Sequence, residues 1–108
     1  MKLTQVASPK SLSRVREPER SIIKVAAVQI NHNVDPAAHT ATLLEAIEIA
    51  VDAGAQVIFL PELTLSRYPA DQLPTGAPNR NAEQLESGPT FNLVSQQAKK
   101  YGVVIHAS

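Results

Sequence analysis

Val57-Ile58-Phe59-Leu60-Pro61-Glu62-Leu63 is the most informative stretch of the chain. Its first four residues are apolar, and such short runs are typical of a strand buried on both faces of a parallel sheet. Pro61 cannot donate to a neighbouring strand, so we predict that the strand ends there. Glu62 then follows at the carboxyl end, where open α/β sheets bind ligands. Glu62 is therefore a candidate acid or base, the alternatives being a solvated loop residue and a helix-cap partner.

Composition limits the classes of function. The 108 residues are 44% hydrophobic, which is enough for one small domain core. Ten Lys and Arg balance ten Asp and Glu, so no net charge attracts nucleic acid or an anionic membrane. There is no cysteine, which excludes a thiol nucleophile within these residues. No apolar run approaches a membrane span or a secretory signal, and we expect a cytoplasmic protein.

The first 21 residues differ from the rest of the chain. Residues 1–21 are polar and basic, and serines and prolines interrupt any helical period. We predict a disordered leader over 1–21, followed by a domain over 22–108. An organelle transit peptide is disfavoured by Glu17 and Glu19. The other alternative is that the start codon was assigned too far upstream, so that these residues are not translated.

A β-α-β unit is predicted from residue 22 onward. Ile22–Ile30 is nearly continuously apolar, as a central parallel strand is. Asp35-Pro36 marks a helix start, because an acceptor side chain precedes a proline at the first helical position. We predict the helix from Pro36 to about Ala53, with Gly54 as its cap. Its apolar stripe consists of Leu43, Leu44, Ile47, Ala50 and Val51. Its acidic residues, which we interpret as a solvated face, are Glu45, Glu48 and Asp52.

The second half of the chain continues the alternation. A long loop over 64–88 is expected to be functional or disordered. Gly88-Pro89-Thr90 opens a second helix, which Gly102 ends, and 103–108 is a third buried strand. The predicted helix stripe consists of Phe91, Val94, Ala98 and Tyr101, with Leu93 and Gln97 flanking it. Three strands without a closing element leave sheet edges and apolar faces uncovered, which favours the first half of a larger domain.

The histidines and the glycines offer no motif of their own. No glycine-rich phosphate loop follows the first strand, so a dinucleotide site has no support. His32, His39 and His106 lack the spacing of metal ligands. Because His106 lies in an apolar run, we expect a hydrogen-bonded core histidine there rather than a base.

Two residues of the loop after Glu62 are candidates for lining a site. Arg67 and Tyr68 could both contact a substrate, the alternative being that Tyr68 packs its ring beneath the loop. Asp71 is most simply a turn residue. Ser108 lacks the glycines of a nucleophile elbow, so we expect a structural hydroxyl.

Three segments together resemble the N-terminal third of the nitrilase superfamily of carbon–nitrogen hydrolases. They are Lys24-Val-Ala-Ala-Val-Gln-Ile30, the helix end Ala53-Gly54-Ala55, and the stretch from Val57 to Leu63. The tail is similar to the family's next helix and strand, through Glu86-Ser-Gly88-Pro89, Lys100-Tyr-Gly102-Val-Val-Ile and Ala107-Ser108. The resemblance covers about Ile23 to Ser108. His39 stands where many relatives have Asn, and Ala107 where many have Gly; neither departure is expected to touch the chemistry.

The resemblance implies a fold and a mechanism. The fold would be the N-terminal β-α-β-α-β part of a four-layer α-β-β-α sandwich, incomplete in this chain, whose parent pairs into homo-oligomers. By match of motif, Glu62 corresponds to the general base of a Glu-Lys-Cys triad. The family's lysine and cysteine lie beyond residue 108, and Lys99 and Lys100 are in the wrong element to replace the lysine. No cofactor and no metal is implied.

The resemblance favours a truncated amidohydrolase that acts on a small amide, a carbamoyl compound or a nitrile and is inactive alone. A natural truncation and a gene-model artefact are both open. The alternative is a non-enzymatic α/β binding or regulatory half-domain. An acyltransferase parent is disfavoured, since nothing here shows the membrane anchor that such branches can carry.

Overall fold

The structure, a computed structural model, describes residues 1–9, 22–71, 73, 76 and 82–108. Its elements follow in the order β1 (Val25–Ala27), α1 (Pro36–Asp52), β2 (Val57–Phe59), a 3₁₀ turn (Pro69–Asp71), α2 (Pro89–Tyr101) and β3 (Val104–His106). The three strands form one parallel sheet in the order β1-β2-β3. The β-α-β-α-β order predicted from the sequence is confirmed. Most of the predicted leader, residues 10–21, and much of the predicted loop lie outside the described residues.

Helix α1 begins as predicted. The Asp35 carboxylate accepts from the N–H groups of Ala37 at 2.9 Å and Ala38 at 3.4 Å, which have no partner inside the helix. At the other end, the Lys24 ammonium donates to the carbonyl of Ala53 at 2.8 Å. Gly54 then turns the chain at a φ of 84°, a conformation that favours glycine. The helix therefore ends one residue before the predicted Ala53.

Helix α2 is capped by a carboxylate from the preceding loop. Glu83 accepts from the N–H of Thr90 at 2.8 Å and from its hydroxyl at 3.0 Å. This arrangement brings Glu83 and Gln84 close to Gly88, where a Cβ would lie 2.7 Å from the Gln84 carbonyl. Glycine is therefore required at 88 for steric reasons. The helix ends at Tyr101, before Gly102 with a left-handed φ of 65°.

Both helices pack on the same face of the sheet. The centre of the core is formed by Leu43, Ile47, Ala50, Ala55, Ile58 and Leu60. Leu93 and Val94 of α2 pack against this same cluster, as does Ile105 of β3. The predicted solvated acidic face of α1 is confirmed, because Glu45, Glu48 and Asp52 are exposed. The predicted stripe of α2 is wrong at Phe91, which is 43% exposed, because Leu93 lies on the core side instead.

The opposite face of the sheet is open. Successive strand residues point to opposite sides, so Ile58 is buried while Phe59 is 44% exposed. Val25 and Val104, which share the register position of Val57, are also exposed. The prediction that β2 is buried on both faces is therefore wrong in the described chain. The prediction of a core histidine at His106 is wrong for the same reason, since its ring is exposed beside Phe59.

A pair of substitutions tests this one-sided core. Ile58→Ala removes a fully buried side chain and is expected to lower the free energy of unfolding by about 2–5 kcal/mol. Val25→Ala, on the open face of the same sheet, is the matched control and is expected to cost less than about 1 kcal/mol. Urea denaturation of the 108-residue chain, followed by circular dichroism, measures both. Equal losses would contradict a core on one face only.

Candidate active site

Glu62 lies on a turn at the carboxyl end of β2, the central strand. The N–H of Leu60 donates to the carbonyl of His106 at 2.9 Å. Pro61 has no N–H to donate, so the hydrogen bonds between β2 and β3 end there, as predicted. The Glu62 side chain is exposed, and its carboxylate has no hydrogen-bond or ion-pair partner among the described residues. The backbone around it, and not a partner of the carboxylate, therefore sets its position.

Thr64 fixes that backbone. Only 1% of Thr64 is exposed, yet all of its polar groups are paired. Its N–H donates to the carbonyl of Ser108 at 2.7 Å. Its hydroxyl donates to the carbonyl of Pro61 at 3.0 Å and accepts from the N–H of Ser108 at 3.3 Å. Its carbonyl lies 2.9 Å from Nε2 of His39. The turn that carries Glu62 is thus tied to the end of β3 and to α1.

Leu63 completes the turn in a left-handed conformation. Its φ is 54°, which costs a residue other than glycine about 1–2 kcal/mol. Its N–H donates to the hydroxyl of Ser108 at 3.1 Å, so Ser108 has the structural role that we predicted. Glu62 therefore lies between a carbonyl held by Thr64 and an amide held by Ser108. Because the backbone is hydrogen-bonded on both sides of Glu62, the Cα and Cβ atoms of Glu62 have little freedom to move.

His39 links this turn to the loop between β1 and α1. Its side chain is 4% exposed and lies in the first turns of α1. Nδ1 accepts from the N–H of Asn33 at 3.3 Å, and Nε2 lies against the carbonyl of Thr64. The sequence interpretation missed this role, although a signal was present. His39, Leu43 and Ile47 follow at four-residue spacing, which places His39 on the buried side of α1.

The two predicted site-lining residues lie farther along the same loop. Arg67 and Tyr68 are both exposed, and they precede the 3₁₀ turn Pro69–Asp71. Tyr68 is 58% exposed, so the alternative in which its ring packs beneath the loop is wrong. Exposed side chains at the carboxyl edge of a sheet are placed to meet a ligand, and contact with substrate stays a prediction for both.

Lys99 and Lys100 lie at the opposite edge of the sheet from Glu62. They belong to the last turn of α2, which leads into the amino end of β3, whereas Glu62 follows the carboxyl end of β2. The Lys100 ammonium donates to the Tyr101 hydroxyl at 2.8 Å, and this hydrogen bond raises the pKa of Lys100. Neither lysine lies where it could serve Glu62. Within the described residues, no three His, Asp or Glu side chains cluster as a metal site requires.

Removing the Thr64 hydroxyl tests its part in the turn. Thr64→Val leaves the Pro61 carbonyl and the Ser108 N–H without this partner in a partly buried site, so we expect a loss of about 1–3 kcal/mol in the free energy of unfolding. Thr40→Val is the matched control, because the Thr40 hydroxyl, at a half-buried position of α1, has no hydrogen-bond partner among the described residues. We expect this control to change the free energy by less than about 0.5 kcal/mol. Chemical denaturation measures both, and a neutral Thr64→Val would contradict the assignment.

The sequence matches the family model of the carbon-nitrogen hydrolases over residues 24–108. No curated protein and no solved structure matches the chain. Neither helix of the described residues is long and apolar enough to cross a membrane. The matched region contains all three strands, both helices and the Glu62 turn. The chain has a partial nitrilase-like fold and belongs to the carbon-nitrogen hydrolase family, that is, to the nitrilase superfamily.

Proposed function

We propose that this chain is the N-terminal part of a nitrilase-like amidohydrolase, in which Glu62 is the general base. The substrate would be a small amide, a carbamoyl compound or a nitrile. One observation carries the proposal: in a member of this family, a carboxylate without a partner among the described residues lies on an anchored turn at the carboxyl end of the central strand. The exposed side chain of Glu62 is accessible to a ligand at that edge.

The chemistry assigns a task to Glu62. A thiol becomes a strong nucleophile only after it loses its proton, and a base within about 3 Å can accept that proton. The Glu62 carboxylate suits this task, because it is exposed and no described residue occupies its oxygens. The sulfur would then attack the substrate carbon, and the protonated Glu62 would return its proton to the departing ammonia or amine. Water would release the acid from the resulting thioester. A nitrile would take up one more water, because addition of the sulfur first gives a thioimidate, whose hydrolysis releases the ammonia.

The remaining catalytic groups would come from residues after 108. The chain has no cysteine, and its lysines near the end of α2 lie at the wrong edge of the sheet. A later lysine would stabilise the negative charge that develops on the substrate during attack. Arg67 and Tyr68 are our candidates for contacts with the substrate. No cofactor takes part in this scheme.

The open face of the sheet supports a larger parent domain. Val25, Phe59 and Val104 expose apolar surface on this face, where Val25 and Val104 flank Val57 in the β-sheet register and Phe59 lies two residues after Val57. Monomeric proteins rarely leave such a face in water, because apolar burial is the main stabilising term in folding. A second sheet packed on this face, with a further helix layer behind it, would complete the four-layer sandwich. We propose a cytoplasmic, homo-oligomeric parent without nucleic-acid or membrane partners.

The 108-residue chain is expected to be inactive by itself. Incubation with a small amide, an N-carbamoyl compound and a nitrile should release no ammonia above the rate of a protein-free blank, because the nucleophile is absent. Glu62→Gln is the control, since it removes the base without changing the size of the side chain. Ammonia release by the chain that this substitution abolishes would contradict the assignment of the nucleophile to later residues.

In a longer protein that carries the cysteine, Glu62→Gln is expected to lower kcat by roughly 10²–10⁴-fold, the usual effect of removing a general base. Glu48→Gln, on the exposed face of α1, is the matched control and should leave kcat unchanged. Steady-state measurement of ammonia release gives both values. A Glu62→Gln protein with the kcat of the unmodified enzyme would rule out Glu62 as the general base.

A further inference from the structure

His39 is the most deeply buried ionisable side chain among the described residues, and the proposed chemistry gives it no task. Its ring lies between two backbone groups from different parts of the chain. The N–H of Asn33, after β1, points at Nδ1 at 3.3 Å, and the carbonyl of Thr64, after β2, faces Nε2 at 2.9 Å. The ring of His32, itself exposed, lies against His39 with 4.6 Å between ring centroids.

The two backbone partners determine the tautomer of the ring. A backbone N–H can only donate, so Nδ1 must be the unprotonated acceptor. A carbonyl can only accept, so Nε2 must carry the proton. A proton on Nδ1 would face the N–H of Asn33 and break that hydrogen bond. The geometry therefore requires the tautomer with its proton on Nε2.

We propose that His39 is a positioning residue, which holds the Glu62 turn in place through the hydrogen bond from Nε2 to the carbonyl of Thr64. The role of Glu62 rests on the proposed function, but the hydrogen bond and its effect on the turn do not. Thr64 lies two residues after Glu62. The loops that follow β1 and β2 are thereby joined through α1.

Two features indicate that the hydrogen bond from His39 to Thr64 stabilises the turn, in addition to the packing of the ring. The Thr64 carbonyl is buried, and a buried carbonyl that loses its partner is expected to destabilise the turn. Leu63, directly before Thr64, is in the left-handed region and persists there only if its neighbours are held. Loss of the bond to His39 would therefore allow the turn to relax at Leu63, and the direction of the Glu62 side chain would change with it.

Nuclear magnetic resonance of the 108-residue chain tests the proposal without any measurement of catalysis. The ring nitrogens of His39 should show a proton on Nε2 and none on Nδ1. In His39→Leu, amide exchange at Leu63 and Thr64, whose N–H groups bind Ser108, is expected to become at least roughly tenfold faster. Exchange at Ile47, in the middle of α1, should change by less than about threefold.

Two sets of variants separate hydrogen bonding from packing. His39→Gln and His39→Asn keep an amide donor and acceptor, and at least one of them should restore the slow exchange at Leu63 and Thr64. His32→Leu, the matched control, removes the ring that lies tilted against His39 without contacting the turn, and should alter exchange there by less than about twofold.

A proton on Nδ1, or equal acceleration at Ile47 and Leu63, would overturn the positioning role. Failure of both amide variants to restore slow exchange would overturn it as well, in favour of simple packing by the ring. If His39→Leu does not fold, the tautomer in the unmodified protein decides. Because every readout is structural, this proposal can fail while Glu62 remains the base, and the reverse also holds.

Discussion

The hydrogen bonds of Thr64 are the interaction on which the rest of the site depends. Through them a single buried residue joins the segments that follow the three described strands: the one after β2 through Pro61, the one after β3 through Ser108, and the loop after β1 by way of His39 and Asn33. Parallel strands end at one edge of a sheet, but the sheet hydrogen bonds alone do not fix the loops beyond that edge. The hydrogen bonds of Thr64 hold the few residues that follow β2 in a fixed position relative to the sheet, and Glu62 is one of these residues.

The same arrangement explains how a strained turn can persist in a small domain. The left-handed backbone at Leu63 costs free energy, and the hydrogen bonds on both sides of it offset that cost. Rigidity at this point suits a catalytic base, because an error of about 1 Å in the position of a catalytic group can cost about a hundredfold in rate. Because the Glu62 carboxylate is exposed, a reacting group can reach it. Because its backbone is fixed, the position from which the side chain extends is fixed as well.

The fold was largely predictable from the sequence, because its signals are local. Asp35-Pro36 and Gly102 set the limits of the helices, and the apolar run from Val57 stops at Pro61 for a simple chemical reason. Burial on the two sides of the sheet was not predictable, since apolar runs do not tell whether a second layer covers Phe59 and His106. Whether this face is open depends on the other elements that pack on the sheet, and not on the sequence of the strands themselves.

The site was predictable only in part, for a related reason. The position of Glu62 follows from the end of a strand, whereas the contacts of Thr64 with His39 and with Ser108 join residues that are 25 and 44 positions apart in the chain. No periodicity within one element reports such contacts. The four-residue spacing of His39, Leu43 and Ile47 indicates burial of the ring, but it does not identify the carbonyl that the ring binds.

The central claim is that Glu62 serves a nucleophile supplied by a longer protein. Sequencing the coding DNA beyond codon 108, read in all three frames, tests this claim most directly. We predict a continuation that encodes further strands, a lysine-bearing motif and a cysteine after a strand. A genuine stop codon followed by unrelated sequence would contradict it, and the Glu62 turn would then belong to a half-domain without a hydrolytic role.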